Sequence, residues 1–371
     1  MTTTTYNDTE LESLMILAAI PYLGPIKARL LFEYFGSAAG ALAADPSELR
    51  HLPGFGPKLL DSWNLRHTLR PSLDRNWGLI THHKAQIIPF YAQNYPKRLL
   101  EIADHPLLLY IKGDLSPKDH HAIAIIGTRQ ASIYGLEMAQ QLARDLATQG
   151  ITVVSGLARG IDSAAHEGAL KTGRTLAVIG SGLANLYPPE NRQLAEQIAT
   201  QGGVLTEFPM ETPPDRLNFP QRNRIVAAMT MGSLLIEAPV RSGAMLTMER
   251  ARNYKRNLFA LPGRADQESF KGNHMLIKTG SAHLVENARD VLSAYEELFT
   301  WIPPKTAVST GIPLDKEELQ LLEQMSGEEI SLEELQRKSG LPATRVTILL
   351  MSLVLKKIIK EFPGKFYKKV R

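Results

Sequence analysis

The sequence of 371 residues contains no cysteine. Disulfide bridges, zinc sites built from thiolates and cysteine nucleophiles are therefore excluded, and this absence fits a reducing cytoplasm. Long apolar runs are also missing, because the charge-free stretches 175–189 and 225–236 are broken by Gly and Pro or are too short to cross a bilayer. The first ten residues, MTTTTYNDTE, lack the basic region of a secretory signal. We expect a soluble cytoplasmic protein with no membrane partner.

Several motifs that mark enzymes and nucleotide sites are absent as well. The sequence has no G-x-x-x-x-G-K-[ST] loop for a nucleoside triphosphate, no H-E-x-x-H zinc motif and no G-x-S-x-G nucleophile turn. The histidine doublets His82-His83 and His120-His121 lack the spacing of metal ligands. We therefore predict no metal, no cofactor and no catalytic residues.

What is present is an ordinary composition with a small excess of basic residues. The chain has 42 Lys and Arg against 38 Asp and Glu, which gives a net charge of +4 and an isoelectric point near 9.0. This balance permits a polyanionic partner without requiring one, so the distribution of the charge must decide. The length predicts two or three domains.

Residues 1–75 form the first predicted domain, which has a helical pattern and a faint internal repeat. PYLGPIKARLL (21–31) aligns with PGFGPKLLDSW (53–63), and in each an apolar turn precedes a proline at the start of a helix. The pair resembles tandem helix-hairpin-helix units, whose turns present backbone N–H groups to a nucleic-acid phosphate. The first copy has Tyr22 where the leading glycine would stand, whereas the second keeps Gly54. The alternative is a domain used only for helical packing.

Residues 76–299 form the second predicted domain, in which short β-rich runs alternate with helical patterns. Apolar runs such as LAVIG and SLLIEA suit a parallel sheet that is covered on both faces. Strand–helix repetition at this spacing predicts an α/β fold with a doubly wound, mostly parallel sheet. The predicted strands are 122–127, 151–156, 174–180, 203–208, 232–238, 257–261 and 282–285. The predicted helices are 134–148, 161–172, 189–200, 223–230, 243–255 and 288–298.

A third domain is predicted after a linker. The Pro- and Thr-containing stretch TWIPPKTAVSTGIP indicates a linker over 300–313. Residues 314–371 then show three helices, near 315–325, 331–338 and 343–356, followed by two short strands around a Pro-Gly turn. This order is typical of a winged helix.

In a doubly wound sheet ligands bind beyond the carboxyl ends of the strands, so residues at those ends are the candidates. The first end carries Gly127, Thr128 and Arg129. Gly127 permits close approach of a ligand, Ser132 can cap the next helix, and Arg129 stands near a helix N-terminus, which attracts anions. The turn lacks the other glycines of a dinucleotide fingerprint, and the next strand ends without an acidic residue, so NAD is not expected.

The next two strand ends repeat this pattern of small and basic residues. SGLARGID at 155–162 offers Ser155, Gly156 and Arg159, and the following strand ends at Gly180. Asp162 is predicted to cap the helix that begins there, and one turn later His166 is a possible structural partner for its carboxylate.

The strongest local signal is NFPQRNRIVAAM at 218–229. Arg222 and Arg224 flank Asn223 at the predicted start of a helix, which places cations at its positive end. Nine Lys and Arg residues stand between 215 and 264 against three acidic residues. One basic rim built from several strand ends suits a polyanion, since the guanidinium group binds phosphate oxygens in pairs.

Seven ordered motifs between residues 120 and 285 resemble the DNA-processing protein A family, also called Smf. They are GTRQASIYG, SGLARGIDSAAHEGAL, AVIGSGLANLYPPEN, FPQRNRIVAAM, SGAMLTMERA, ALPG and KGNHMLIKTGSAHLV. The resemblance implies an extended Rossmann-like domain that binds single-stranded DNA, forms homodimers and loads a RecA-type recombinase. It also implies help in overcoming single-strand-binding protein, as in natural transformation.

The resemblance also assigns residues. The G-S/T-R motif of the family falls on 127–129, its S-G-x-A-x-G-I-D motif on 155–162, and its R-N-R motif on 222–224. The later G-x-N motif falls on Gly272 and Asn273. Further basic candidates for the same face are Lys171, Lys271 and Lys278. Aromatic residues near these turns, which could stack on bases or simply pack in the core, are Tyr134, Tyr187 and Phe219.

Two other functions are weighed against non-enzymatic binding. In the stretch LLIEAPVRSGAMLTMERA, Pro239, Gly243, Thr247 and Glu249 faintly echo the P-G-G-x-G-T-x-x-E motif of nucleotide phosphoribohydrolases, without its paired glycines. The second alternative is a duplex-binding regulator that acts through the winged helix. Its third helix is poor in side chains that read bases, so that domain could bind protein instead of duplex DNA.

Overall fold

The computed structural model describes residues 8–298, 314–325, 329–356 and 358–369. The described residues up to 298 belong to one compact unit, and those from 314 onwards belong to a second. The helices of the first unit are α1 Asp8–Ala19, α2 Gly24–Phe35, α3 Ala38–Ala43, α4 Pro46–Leu49, α5 Pro57–Trp63, α6 Arg70–His82, α7 Ile133–Thr148, α8 Ile161–Leu170, α9 Arg192–Gln201, α10 Asn218–Ala228, α11 Gly243–Asn253, α12 Lys271–Lys278 and α13 Ala288–Ser293. Its strands are β1 Ala85–Pro89, β2 Leu108–Gly113, β3 Ala122–Ile126, β4 Thr152–Ser155, β5 Thr175–Val178, β6 Gly203–Thr206, β7 Gly232–Leu235, β8 Asn257–Ala260 and β9 His283–Leu284.

The first unit is built on a nine-stranded sheet in the order β1-β2-β6-β5-β4-β3-β7-β8-β9. Strands β3 to β9 pair in parallel, whereas β1 and β2 add an antiparallel edge through β6. The predicted α/β fold with a mostly parallel sheet is confirmed, as are its seven predicted strands. The prediction omitted β1, β2 and helix α12.

Two helical layers cover the sheet because successive strand residues point to opposite faces. From β3, Ala124 packs toward α10, α11 and α12, while Ile125 packs toward α7, α8 and α13. Both residues are fully buried, which explains why these strands appear in the sequence as unbroken apolar runs.

The N-terminal helices extend the second of these layers. Residues such as Leu14, Leu31 and Trp63 share one core with Tyr110 of β2 and Ile198 of α9. The boundary predicted at residue 75 lies inside α6, and the helical segment packs on the sheet through this common core.

The two repeated turns of this segment have related backbones. Tyr22 adopts φ +65° and Gly54 adopts φ +83°, so both stand in the left-handed region that favours glycine. Tyr22 holds this conformation with its side chain 70% exposed.

The second unit has the predicted winged-helix order. Its elements are α14 Lys316–Glu323, β10 Ile330–Ser331, α15 Leu332–Ser339, α16 Ala343–Leu355, β11 Ile359–Phe362 and β12 Phe366–Lys369. The strands form a sheet in the order β10-β12-β11 against a core that contains Leu335, Leu349 and Tyr367. The predicted linker over 300–313 lies outside the described residues.

A buried ion pair ties the first and third helices of this unit together. Lys356 Nζ lies 2.7 Å from Glu318 Oε1, and Ser352 Oγ donates to the same oxygen. Burial acts to raise the pKa of Glu318, but the hydrogen bonds from Lys356, Ser352 and the Asp315 main chain outweigh it and hold that pKa at about 2.

No single helix among the described residues is long and apolar enough to cross a membrane. The helices α15 and α16 pass on length and composition only when taken together, with a bend of 113° between them. The described residues also contain no group of three or more His, Asp or Glu side chains arranged to hold a metal ion.

His166 packs α8 against the sheet and does not pair with Asp162. The hydroxyl of Thr175 donates to Val153 O, so it accepts the hydrogen bond from Nδ1–H of His166 at 2.7 Å. The Nε2 atom is buried and has no hydrogen-bond partner among the described residues. Burial, with a smaller contribution from the Arg222 charge, lowers the pKa of His166 to about 3.

This buried histidine predicts a pH-dependent loss of stability. The folded state binds fewer protons at His166 than the unfolded state between pH 6.5 and about 3, so its contribution is complete above pH 6.5 and is lost as the pH falls. At pH 5 the loss should be roughly 2 kcal/mol relative to pH 7. We expect His166→Gln to be less stable at pH 7 but to depend less on pH between 7 and 5. Urea denaturation followed by tryptophan fluorescence measures this, and an unchanged pH dependence in the variant would contradict it.

Candidate nucleic-acid interface

The carboxyl ends of β3, β4, β5 and β7 meet where the sheet reverses its strand order, between β3 and β7. Loops after β3, β4 and β7 and the first part of α10 enclose an open concavity of about 640 Å³. Arg129, Arg216, Arg222 and Arg241 line it, and a narrow adjoining recess adds Arg159, Tyr187 and Phe219. We call this surface, defined by those five arginines and two rings, the arginine cleft.

The turn that carries Arg129 is held rigidly by main-chain contacts. Thr128 N donates to Glu237 O at 2.7 Å, and Thr128 O accepts from Ile161 N at 3.3 Å. The exposed guanidinium of Arg129 lies over the ring of Phe219, 5.0 Å from its centroid. Arg129 therefore stands at the mouth of the cleft with its charge accessible.

Arg222 forms the floor of the cleft and is only 5% exposed. Its Nη1 donates to Val178 O at 2.5 Å, and its Nε donates to Asn223 Oδ1 at 3.1 Å. Burial lowers the pKa of Arg222, and the charge of Arg129 lowers it further, while Asp162 opposes both. A Cβ atom at Gly156 would lie 1.8 Å from the guanidinium, so the glycine makes room for this arginine.

The other glycines also serve internal packing. A Cβ on Gly127 would lie 2.5 Å from Ile161 Cγ1, and one on Gly180 would lie 3.0 Å from the Phe219 ring. Gly127 therefore lets β3 end against α8, and Gly180 lets Phe219 reach the recess.

Protein groups occupy N–H groups at the start of α7 and in the loop before α8, where the sequence analysis expected anions to be attracted. Ser132 caps α7 as predicted, and the buried Glu237 carboxylate accepts both its N–H and its hydroxyl. The prediction that Asp162 caps α8 is wrong, since Gly160 is the N-cap with φ +75°. The Asp162 carboxylate instead accepts N–H groups of Gly156 and Ala158 in the preceding loop. Attraction of an anion therefore depends on the guanidinium groups.

Arg224 lies outside the cleft. Helix α10 begins at Asn218, so Arg222 and Arg224 stand in its interior, about 200° apart around its axis. Arg224 is 5% exposed and forms ion pairs with Glu207 and Asp104. The sequence prediction placed both arginines at the start of the helix, whereas both lie in its interior.

Three other predicted residues make contacts within the protein. Ser155 is buried and donates to Ile125 O at 2.6 Å, and Arg159 is ion-paired with Glu190. Asn273 is fully buried, accepting from Ala238 N and donating to the carbonyls at 235, 236 and 261. It joins the ends of β7 and β8 and is closed to solvent.

The three lysine candidates do not line the cleft. Lys171 follows the last turn of α8, which runs back to the opposite edge of the sheet, where β5 begins at Thr175. Lys271 donates to Ala265 O at 3.1 Å, and Lys278 ends α12. Tyr134 is also separate from the cleft, with its hydroxyl 3.4 Å from Pro262 O.

Two cleft residues were counted among the basic residues of the sequence but not proposed as site residues. Arg216 and Arg241 are exposed, and no carboxylate lies within 4 Å of either in the part of the chain that the structure describes. They stand in loops on either side of the R-N-R motif in sequence. In the sequence, these two residues were indicated only by the dense run of basic residues from 215 to 264.

Comparisons with known proteins agree with this fold. A family model described as DNA recombination-mediator protein A matches residues 86–296, and one described as the DprA winged helix domain matches residues 304–365. The chain is 35% identical to Protein Smf of Escherichia coli over 302 residues, covering 80% of each chain. It is 40% identical to DNA processing protein DprA of Streptococcus pneumoniae over 203 residues, 54% of this chain and 71% of that one.

Two solved structures are similar at 30% sequence identity. The structure of DNA processing protein A from Streptococcus pneumoniae aligns with a TM-score of 0.66, covering 80% of this chain and 100% of that one. The Helicobacter pylori structure, which concerns the single-stranded DNA binding mode of that protein, aligns with a TM-score of 0.52 over 58% of this chain and 97% of that one. The chain therefore belongs to the DNA recombination-mediator protein A family, the DprA or Smf proteins.

Proposed function

We propose that this chain binds single-stranded DNA in the arginine cleft and, as a homodimer, loads a RecA-type recombinase onto it without catalysing a reaction. The observation that carries the proposal is the convergence of five arginines and two aromatic rings at the carboxyl edge of the sheet. Family membership and the DNA-binding relative support it. Displacement of single-strand-binding protein, a role in natural transformation and a cytoplasmic location belong to the same proposal.

The charges of the cleft favour a phosphate backbone. Arg129, Arg216 and Arg241 have no carboxylate within 4 Å among the described residues, whereas the charge of Arg222 is partly offset by Asp162. Phosphates placed among these groups would supply the missing negative charge. The planar guanidinium group binds phosphate oxygens in pairs, which gives affinity without reading sequence.

The rings favour a single strand over a duplex. Tyr187 and Phe219 lie 6.1 Å apart beside the narrow recess. Unpaired bases can stack on exposed rings, whereas the bases of a duplex are already stacked and paired. The cleft thus combines the two features typical of single-strand sites.

The alternative phosphoribohydrolase site is incomplete. Pro239, Gly243 and Thr247 line the cleft, but Glu249 does not and stands exposed on α11. A carboxylate that acts as an acid or base must reach the reacting group, so this arrangement favours binding without catalysis. Incubation with nucleoside monophosphates and detection of free base distinguishes the two functions.

The winged-helix unit is assigned to protein binding in this proposal. The exposed face of α16 presents Ile348, Met351 and Leu355, which are 57%, 66% and 83% exposed. These side chains cannot donate or accept hydrogen bonds with base edges in a major groove.

The first prediction concerns Arg129. Arg129→Glu should weaken binding of single-stranded DNA by roughly tenfold or more, equally for different sequences, because it removes a phosphate contact and adds repulsion. Fluorescence anisotropy with labelled oligonucleotides measures the affinity. Lys118→Glu makes the same charge change at an exposed position outside the cleft and should have little effect. Equal losses in the two variants would remove the arginine cleft from the binding site.

Arg224 is not used for this test. A second carboxylate at position 224 would be buried beside Glu207, so Arg224→Glu should act through the fold and not through a DNA contact.

The second prediction concerns salt. Arg159 is already ion-paired with Glu190, which leaves four cleft arginines to replace counterions. If each of the four replaces one counterion, log K should fall against log salt concentration with a slope of about −3 on single strands, four times about −0.7. Duplexes of equal length should bind more weakly at every salt concentration, because their bases cannot reach Phe219. Equal affinity for both forms, or an affinity that does not change with salt, would contradict the proposal.

The third prediction concerns recombinase loading. On single-stranded DNA coated with single-strand-binding protein, the chain should shorten the lag before a RecA-type recombinase begins DNA-dependent ATP hydrolysis. Arg129→Glu should lose this effect in proportion to its lost DNA affinity, while Lys118→Glu should keep it. A chain that binds DNA normally but leaves the lag unchanged would separate DNA binding from loading and refute the loading role.

A further inference from the structure

A second cavity lies at the amino-terminal edge of the parallel strands. It has a volume of about 620 Å³, and its lining includes residues that precede β2, β3 and β7. The arginine cleft lies at the other end of β3, a strand of five residues that spans about 15 Å. The two sites are therefore separated by the length of the sheet.

One side of this cavity is basic. Lys97, Arg98 and His120 line it, and neither Lys97 nor Arg98 has a carboxylate within 4 Å in the described ranges of the chain. Asp119 also lines it, but Arg174 holds both of its oxygens, at 2.6 and 2.9 Å. Glu101 acts on Arg98 from nearby but is ion-paired with Arg256, so the rim keeps an excess of positive charge.

Another part of the lining is apolar. It consists of Leu115, Pro117 and Met229, which we call the apolar wall. A cavity of this size with an apolar wall and a few convergent charged groups is typical of small-ligand sites, and the size suits one nucleotide.

The basic rim is held in place before any ligand arrives. Arg98 Nε donates to His120 O at 3.3 Å, and Arg256 Nη2 donates to Arg98 O at 3.2 Å. Arg256 is in turn ion-paired with Glu101 at 2.7 Å. Burial lowers the pKa of Arg98, and the charge of Arg256 lowers it further, which is the mark of cations crowded together.

We propose that this cavity is a second binding site for a nucleotide, with the base against the apolar wall and the phosphate at Lys97, Arg98 and His120. The site does not depend on the arginine cleft. Its ligand is either a free nucleotide or a nucleotide unit of a longer strand that reaches the opposite edge of the sheet.

The test separates this cavity from the cleft by using the full chain with Arg129→Glu and Arg241→Glu. In that background we expect etheno-deoxyadenosine monophosphate to bind, with affinity read from fluorescence polarisation. Adding Lys97→Glu should weaken binding about fivefold, since an attractive exposed charge becomes a repulsive one. Adding Lys118→Glu, on the short helix that carries His120 but outside the lining, should change it less than twofold. Circular dichroism melting confirms that each variant is folded.

A parallel experiment with oligonucleotides identifies the source of the ligand. In the otherwise unchanged chain, Lys97→Glu should weaken a strand of about 40 nucleotides but not one of about 6, if the ligand belongs to a strand long enough to reach both edges. Monophosphate binding that responds to Lys97→Glu, without an effect on strands, would identify a free nucleotide. If neither probe responds to Lys97→Glu more than to Lys118→Glu, the second site does not exist, and the arginine cleft is unaffected by that outcome.

Discussion

A buried guanidinium fixes the geometry of the arginine cleft. Arg222 comes from α10, donates to the last carbonyl of β5 and lies against Gly156 at the end of β4. Burying a cation costs several kcal/mol unless hydrogen bonds and opposite charge offset it. Val178 O, the Asn223 amide and the nearby Asp162 carboxylate supply that compensation. Because one side chain joins two strand ends and a helix, the loops that carry the other arginines start from fixed positions.

Internal carboxylates determine how the cleft attracts anions. Glu237 and Asp162 accept the N–H groups at the start of α7 and in the loop before α8, positions where phosphates bind in many nucleotide folds. With those positions filled, the charge that attracts negative ligands comes from side chains. Arg129, Arg216 and Arg241 are exposed and can adjust to phosphates at different spacings. Such contacts suit a flexible strand better than one small phosphate held in a rigid cradle.

Much of the sheet was predictable from the sequence, whereas its edge was not. Strands β3 to β8 are buried on both faces, so they appear as short, unbroken apolar runs between turns. Strand β2 is equally apolar, but its partner β6 begins about 90 residues later, and no local pattern indicates an antiparallel pairing at that distance. The start of α10 was missed because Pro220 resembles a helix breaker, although it stands in the first turn, where its missing N–H is not needed.

Because the start of α10 was predicted too late, only some of the site residues were placed correctly. Arg129 and Arg222 follow strands whose carboxyl ends share one edge, so their proximity follows from the topology. The position of Arg224 did not follow from the topology. Arg222 and Arg224 are two residues apart in the interior of a helix, so their side chains point to different sides. The amide of Asn273 looked like a ligand-binding group in its motif, yet it satisfies four main-chain groups between two strands. A short motif cannot separate these roles, because both need a polar side chain next to a strand end.

The excess positive charge of the cleft has a consequence for the protein without its ligand. Arg129 and Arg222 repel each other, and the exposed arginines around them add to the same positive field. A chain that folds with like charges converged gives up some stability to keep them there. A ligand that binds only the folded state stabilises that state, and the stabilisation increases with ligand concentration. The arrangement is therefore maintained by the rigid contacts of Arg222, Glu237 and Asp162, and it is completed electrostatically when a polyphosphate lies among the arginines.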